Sequence, residues 1–128
     1  MTTYGYISAQ PGVTTDVEAE IKNYATKNNL SLESVSWDKH TNKMHWTKRM
    51  IFDMINSAEK GTEIVVYEAS DIGRSTSQVL EAFEMFLENG IILHLVKYQQ
   101  RFTSERAVDI KNFLRDGYKV GFSVGGDF

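Results

Sequence analysis

In the segment Ile64-Val65-Val66-Tyr67-Glu68-Ala69-Ser70-Asp71-Ile72-Gly73-Arg74-Ser75, an apolar run gives way to a polar loop and then to a helix start. A continuous apolar run bounded by polar residues suits a strand covered on both faces, as in a parallel sheet. Ser75 and Gln78 stand in capping positions for a helix that buries Val79, Leu80, Phe83 and Leu87 and ends at Asn89-Gly90. Ile91 to Val96 then reads as the next buried strand. Upstream, Met50, Ile51, Met54, Ile55 and Ala58 form one stripe of a helix from about Trp46 to Lys60, with Gly61 placed to end it. Leu32, Val35 and Trp37 give a weaker strand signal, and the polar residues Asp38 to Lys43 read as a loop. Thr15-Asp16-Val17-Glu18 has the form of a capping box, and Val17, Ile21, Tyr24 and Ala25 follow at helical spacing until Asn28-Asn29. Tyr4 to Ile7 is a β-prone run ending at the turn Gln10-Pro11-Gly12.

Strand and helix alternate four times if Ser104 to Arg115 forms the last helix. Alternation of this kind predicts an α/β fold, a mostly parallel sheet with helices on both faces. Residues 117–128 are glycine-rich and leave two readings open, a short strand at Val120–Val124 or a frayed tail. Ligands in open α/β sheets sit outside the carboxyl ends of strands. The loops Ser8–Thr15 and Glu68–Ser75 are therefore where function is expected.

Composition narrows the classes. The chain has 128 residues, one domain's worth of sequence, with 41% hydrophobic and 24% charged residues. Those shares exclude wholesale disorder. There is no cysteine, which excludes disulfide frameworks and thiolate chemistry. The net charge of −3 argues against unaided tight nucleic-acid binding, which calls for a basic stripe. No apolar run approaches the ~18 residues that would span a bilayer, and the N-terminus lacks signal-peptide character. A soluble, cytoplasmic protein is expected, with no membrane partner. His40 and His45, with Asp38 nearby, lack a recognised ligand spacing, so no metal site is expected. His94, inside a buried-looking strand, reads as a hydrogen-bonded core histidine.

Tyr4-Gly5-Tyr6-Ile7 followed by a helix, Trp46-Thr47-Lys48-Arg49, and Glu68-Ala69-Ser70-Asp71-Ile72-Gly73-Arg74-Ser75 together resemble the N-terminal catalytic domain of the serine recombinases, the resolvase/invertase family. The resemblance runs from about Thr3 to Lys97. It implies that family's fold, and chemistry in which a serine hydroxyl attacks a DNA phosphodiester while arginines hold the non-bridging oxygens. Arginine suits that task through its planar donor fork and permanent charge. No cofactor is implied.

The sequence departs from the family pattern where the chemistry lies. After Tyr-Gly-Tyr-Ile the family continues with Arg, an apolar residue, Ser and Thr; this chain has Ser8, Ala9, Gln10 and Pro11. The nucleophile position is Gln10, whose amide does not attack phosphorus, and the first arginine is Ser8. In the second motif Ser70 keeps the acidic-or-Ser position, but Asp71 replaces an arginine. Losing one group that stabilises transition-state charge already costs about 10²–10³ in rate. Lys48, Arg49 and Arg74 remain as candidate phosphate or DNA contacts. For Lys48 and Arg49 a solvated charged face is the default. Arg74, at a helix start that favours anions, either contacts phosphate or pairs with Asp71.

The family usually continues through a long dimerisation helix into a DNA-binding domain. Here residues 101–128 form no basic arm and no helix-turn-helix pattern. The resemblance and its departures together predict a catalytically inactive resolvase-like module, regulatory or protein-interacting, that oligomerises with itself or with a recombinase or other protein. DNA contact would be weak. The competing reading is an active recombinase or nuclease with Ser8 as a displaced nucleophile. The aromatic C-terminal segment, Phe102 included, is expected to pack on its own sheet or on a second subunit.

Overall fold

The computed structural model describes residues 2–9, 15–39 and 44–104. Its sheet has five strands, β1 (Thr3–Ala9), β2 (Leu32–Lys39), β3 (Glu63–Val66), β4 (Ile92–Leu95) and β5 (Gln100–Phe102), in the spatial order β2-β1-β3-β4-β5. The first four run parallel; β5 is antiparallel to β4. Helix α1 (Thr15–Lys27) covers one face, and α2 (Met50–Ser57) and α3 (Thr76–Glu88) cover the other.

β3 explains the two-faced burial. Side chains alternate along a strand, so Ile64 and Val66 enter the larger core with Ile51, Ile55, Phe83 and Phe86, while Val65 joins Ile7, Ile21 and Tyr24 beneath α1. A Cβ on Gly5 would lie 3.1 Å from Val35 Cγ2 and 3.3 Å from Ile21 Cγ2. Glycine there lets β2 and α1 close over β1.

Several boundaries differ from the sequence expectation. β2 runs through Asp38 and Lys39, expected in a loop, because β1 is also longer than expected and pairs Ser8 with Asp38 and Ala9 with Lys39. The helix expected over 46–60 is broken. Trp46–Lys48 forms a 3-10 turn, Arg49 is extended (φ −86°, ψ 156°), and α2 spans only Met50–Ser57. Tertiary contacts cause the break: the Trp46 amide donates to Gln78 Oε1 (3.1 Å) and its indole to Glu81 Oε1 (2.9 Å), while Asp38 Oδ2 accepts from the Met50 amide (2.7 Å). Gly61 therefore sits beyond the end of α2, in the turn that leads into β3.

In α3 the buried stripe is Val79, Ala82, Phe83 and Phe86, with Leu80 and Leu87 only partly covered. The helical period is as expected, but the helix is rotated slightly about its axis. Ser75 caps it by accepting from the Gln78 amide (3.2 Å). Gln78 does not return the bond; its side chain serves Trp46 instead. Tyr67 lies outside β3, and Val96 begins a 3-10 turn, Val96–Tyr98, outside β4. β5 was not expected. It forms because Phe102 is 2% exposed and packs on Phe83, ring centroids 5.5 Å apart. The Phe102 ring thus packs on its own sheet. Of the helix expected over 104–115 only Ser104 is described, and residues 117–128, read as a strand at 120–124 or a tail, fall outside the described residues.

Candidate functional site

The carboxyl ends of β1, β2, β3 and β4 bring Ser8, Asp38, the Glu68–Ser75 loop and Lys97 to one end of the sheet. Ser8 is half-buried near the end of β1, in register with Asp38. Gln10 lies outside the described residues. Residues Ala69–Asp71 form a 3-10 turn, with the Gly73 amide 3.4 Å from the Ala69 carbonyl. Gly73 is required by packing: a Cβ there would lie 2.9 Å from Gln78 Cβ, inside the first turn of α3.

Arg49 is the central cation. It is 2% exposed, which corrects the expectation of a solvated face. Its Nη1 donates to the Asp71 carbonyl (2.9 Å) and the Ser70 carbonyl (3.4 Å), and its Nε to the Met44 carbonyl (3.2 Å). Desolvation lowers its pKa, opposed by the charges of Asp71 and Asp38. Arg49 therefore links the segment before α2 to the loop after β3. Lys48 and Arg74 are exposed at the same end of the molecule. The Arg74 amide approaches Gln78 Oε1 at 3.4 Å.

Asp71 is partly buried and burial pushes its carboxyl up to about 7, with the neighbouring Glu68 charge adding to the rise. Its Oδ2 accepts from the Glu68 amide (3.2 Å), and Arg49 and Lys97 oppose the shift. Ser70 Oγ donates to Glu68 Oε1 (2.7 Å), and Lys97 Nζ donates to Glu68 Oε2 (2.9 Å). That bond holds the Lys97 ammonium above its ordinary range. On the β2 side, the Tyr6 hydroxyl donates to Asp38 Oδ2 (2.8 Å). Burial and this carboxylate keep the phenol protonated far beyond neutral pH.

This end therefore holds carboxylates among its cations. The sequence reading singled out Ser8, Ser70, Asp71, Lys48, Arg49 and Arg74, and all lie on or beside these loops. It missed Glu68, Lys97 and Asp38 as partners. Glu68 and Lys97 follow adjacent parallel strands, so the strand order was the only signal that could have joined them. Asp38 and His45, weighed as metal ligands, have other work. Asp38 serves Tyr6 and Met50, while His45 caps the Trp46–Lys48 turn by accepting from the Thr47 amide (3.2 Å). His94 is the buried core histidine expected, between the Tyr24 hydroxyl (2.8 Å) and Glu63 Oε1 (2.7 Å).

The family model for the resolvase N-terminal domain matches residues 8–114. The chain belongs to the resolvase N-terminal domain family. Two solved structures share its fold. The N-terminal catalytic domain of TP901-1 integrase has a TM-score of 0.68 at 16% identity, covering 93% of this chain and 95% of that one. A resolvase family site-specific recombinase from Streptococcus pneumoniae has a TM-score of 0.58 at 14% identity, covering 93% and 92%. No curated protein matches the sequence. Arg49, Arg74 and Asp71 all lie at this end of the sheet, within the matched range. Among the described residues no helix is long and apolar enough to cross a membrane.

Proposed function

We propose that this resolvase-family chain is catalytically silent and acts as a regulatory or protein-interaction module linked to DNA recombination. The observation that carries the reading is Asp71. A carboxyl group at this position supplies no fixed positive charge to hold phosphodiester oxygens, and the same loop occupies Arg49 with its carbonyls. Glutamine at position 10 removes the attacking hydroxyl as well. Phosphoryl transfer needs both a nucleophile and cations fixed on the charge that develops. What remains is a folded α/β body suited to binding partners: further copies of itself, a recombinase, or another protein. The cytoplasm, where recombination partners work, is its expected location.

The test is incubation with supercoiled DNA, followed by a denaturing gel for covalent protein–DNA adducts. No adduct and no relaxed product is the expected result. An adduct that disappears on Ser8→Ala and persists on Gln10→Ala would overturn this reading and establish Ser8 as a displaced nucleophile.

A further inference from the structure

Beneath α1 lies a buried polar chain that takes no part in the site at the sheet end. His94 stands on the face of the sheet that α1 covers, in register with Val65 of β3 on one side and Arg101 of β5 on the other. It is 2% exposed, and Tyr24, on the inner face of α1, is 6% exposed. The Tyr24 hydroxyl lies 2.8 Å from His94 Nδ1, and Glu63 Oε1 lies 2.7 Å from His94 Nε2. The direction of both bonds follows from the last member. A carboxylate only accepts, so Nε2 carries the ring proton and donates to Glu63. Nδ1 is then the bare nitrogen, and the Tyr24 hydroxyl donates to it. The Tyr24 and His94 rings meet edge to face, centroids 5.4 Å apart. One neutral imidazole thus joins α1, β3 and β4.

We propose that Tyr24, His94 and Glu63 form a proton-operated latch: protonation of His94 at Nδ1 removes the acceptor of the Tyr24 hydroxyl and loosens α1 from the sheet, while the opposite layer of α2 and α3 stays packed. In the imidazolium both ring nitrogens donate. The bond to Glu63 survives and becomes an ion pair. The contact with Tyr24 sets two donors against each other, and the phenol has to turn its proton away from the ring. The groups that face His94 are Tyr24 from α1, Glu63 from β3 and Arg101 from β5. Burial disfavours the cation most, Glu63 favours it and Arg101 opposes it, which leaves the His94 pKa below its ordinary value. Once α1 has moved off the sheet, water solvates the imidazolium, so proton uptake and release of the helix promote each other. α1 is the element that yields because its side of the core is the smaller. Five buried residues, Ile7, Ile21, Tyr24, Val65 and Val96, form it, against sixteen on the α2 and α3 side. Segments with few buried apolar contacts open first. Release of α1 also breaks the bond from Trp37 Nε1 to Glu18 Oε1 (3.2 Å), which ties the helix to β2. The latch is independent of whether the chain cuts DNA.

Nuclear magnetic resonance of the full chain between about pH 8 and pH 5.5 spans the ordinary histidine range and tests the proposal. At the upper end the His94 ring should show the Nε2–H tautomer; the Nδ1–H tautomer overturns the latch. Amide hydrogen exchange, corrected for the intrinsic effect of pH, should show the protection of α1 falling about tenfold as His94 takes up its proton, the effect of one buried hydrogen bond. The amides of α3 should hold. The Trp37 indole proton should follow α1, and that of Trp46, bonded to Glu81, should follow α3. His94→Gln keeps a side chain that donates and accepts but does not titrate, and should flatten the α1 response. Asp71 also titrates in this range and is unchanged in that variant, so the difference from the parent isolates His94. Glu63→Gln should move the α1 transition to lower pH and Arg101→Met to higher pH, since one removes the charge that favours the imidazolium and the other the charge that opposes it. Circular dichroism checks that each variant folds. If His94→Gln does not, the tautomer and the contrast between α1 and α3 in the parent decide. Equal loss of protection in α1 and α3 overturns the proposal, and so does an α1 response that survives in His94→Gln.

Discussion

Asp71 carries a carboxyl that burial holds protonated up to about pH 7, whereas the same group in the unfolded chain ionises near 4. Between those values the native state binds a proton that the unfolded state has released. Stability therefore falls as pH rises through this window and levels off above about 7. The ceiling on that loss is about 4 kcal/mol, from three pH units at 1.36 kcal/mol each. Asp71→Asn replaces the acid by a neutral isostere. It should be more stable than the parent at pH 8 and show little difference at pH 4, as measured by urea unfolding at each pH. His94 works in the opposite sense. Desolvation lowers its pKa, so the unfolded chain takes up the proton first and stability is lost as pH falls below about 6.5. The difference between parent and variant at each pH cancels the His94 contribution and isolates Asp71. Equal stabilities at pH 8 would show that the carboxyl is not held neutral.

Between elements, Arg49 is the tie. Its guanidinium satisfies carbonyls of Met44, Ser70 and Asp71, and so joins the approach to α2 to the loop after β3. Removing it leaves buried acceptors without donors, at about 1–3 kcal/mol each where no water replaces it. Arg49→Met keeps much of the apolar stem and discards the donors. A loss of about 2–4 kcal/mol in thermal or denaturant unfolding is expected. Arg49→Lys should recover only part of that loss, since a single ammonium cannot reproduce the planar fork. Arg49→Met also withdraws a positive charge that lowers the Asp71 pKa, so the pH-dependent decline in stability should extend to higher pH in that variant and not in Arg49→Lys, which keeps the charge. Full stability in Arg49→Met would mean the bonds to the two loops contribute nothing net. The 3-10 turn at Trp46–Lys48 belongs to the same scale. Helical periodicity runs straight through residues 46–60, and nothing local marks Arg49 as a break. The break follows from Trp46 being anchored on α3 by Gln78 and Glu81.

For the molecule as a whole, charge sets the expectation for DNA. The chain is −3 overall, and the carboxyl end of the sheet mixes Lys48, Arg74 and Lys97 with Asp38, Glu68 and Asp71. Phosphate contacts release counterions and give a salt slope proportional to their number. In electrophoretic shift or anisotropy titrations on duplex DNA, binding should be absent or weak near 50 mM salt and undetectable near 200 mM. Asp71→Asn, which removes an acidic group from this end, should change that little, because it adds no cation and leaves Asp38 and Glu68 in place. Tight binding with a steep salt slope would contradict the reading of this end as electrostatically unsuited to DNA.

Alternation of apolar runs with amphipathic stretches was enough to specify the α/β layering, the parallel strands β1 to β4 and the positions of the two loops beside the site. Those features follow from local periodicity and from the handedness and burial rules of βαβ units, which act over short separations. The residue types at positions 8, 10 and 71, on which the proposed loss of chemistry rests, were also legible in the chain itself. Tertiary structure alone decided the rest. Asp38 became a strand residue because β1 extended beside it, and Arg49 was enclosed because two loops distant in sequence offered it carbonyls. Glu68 met Lys97 because their strands are neighbours, and β5 formed because Phe102 reached the Phe83 ring. Each of these depends on groups tens of residues apart being brought within a few ångströms, and a linear pattern of apolar and polar residues holds no record of that distance.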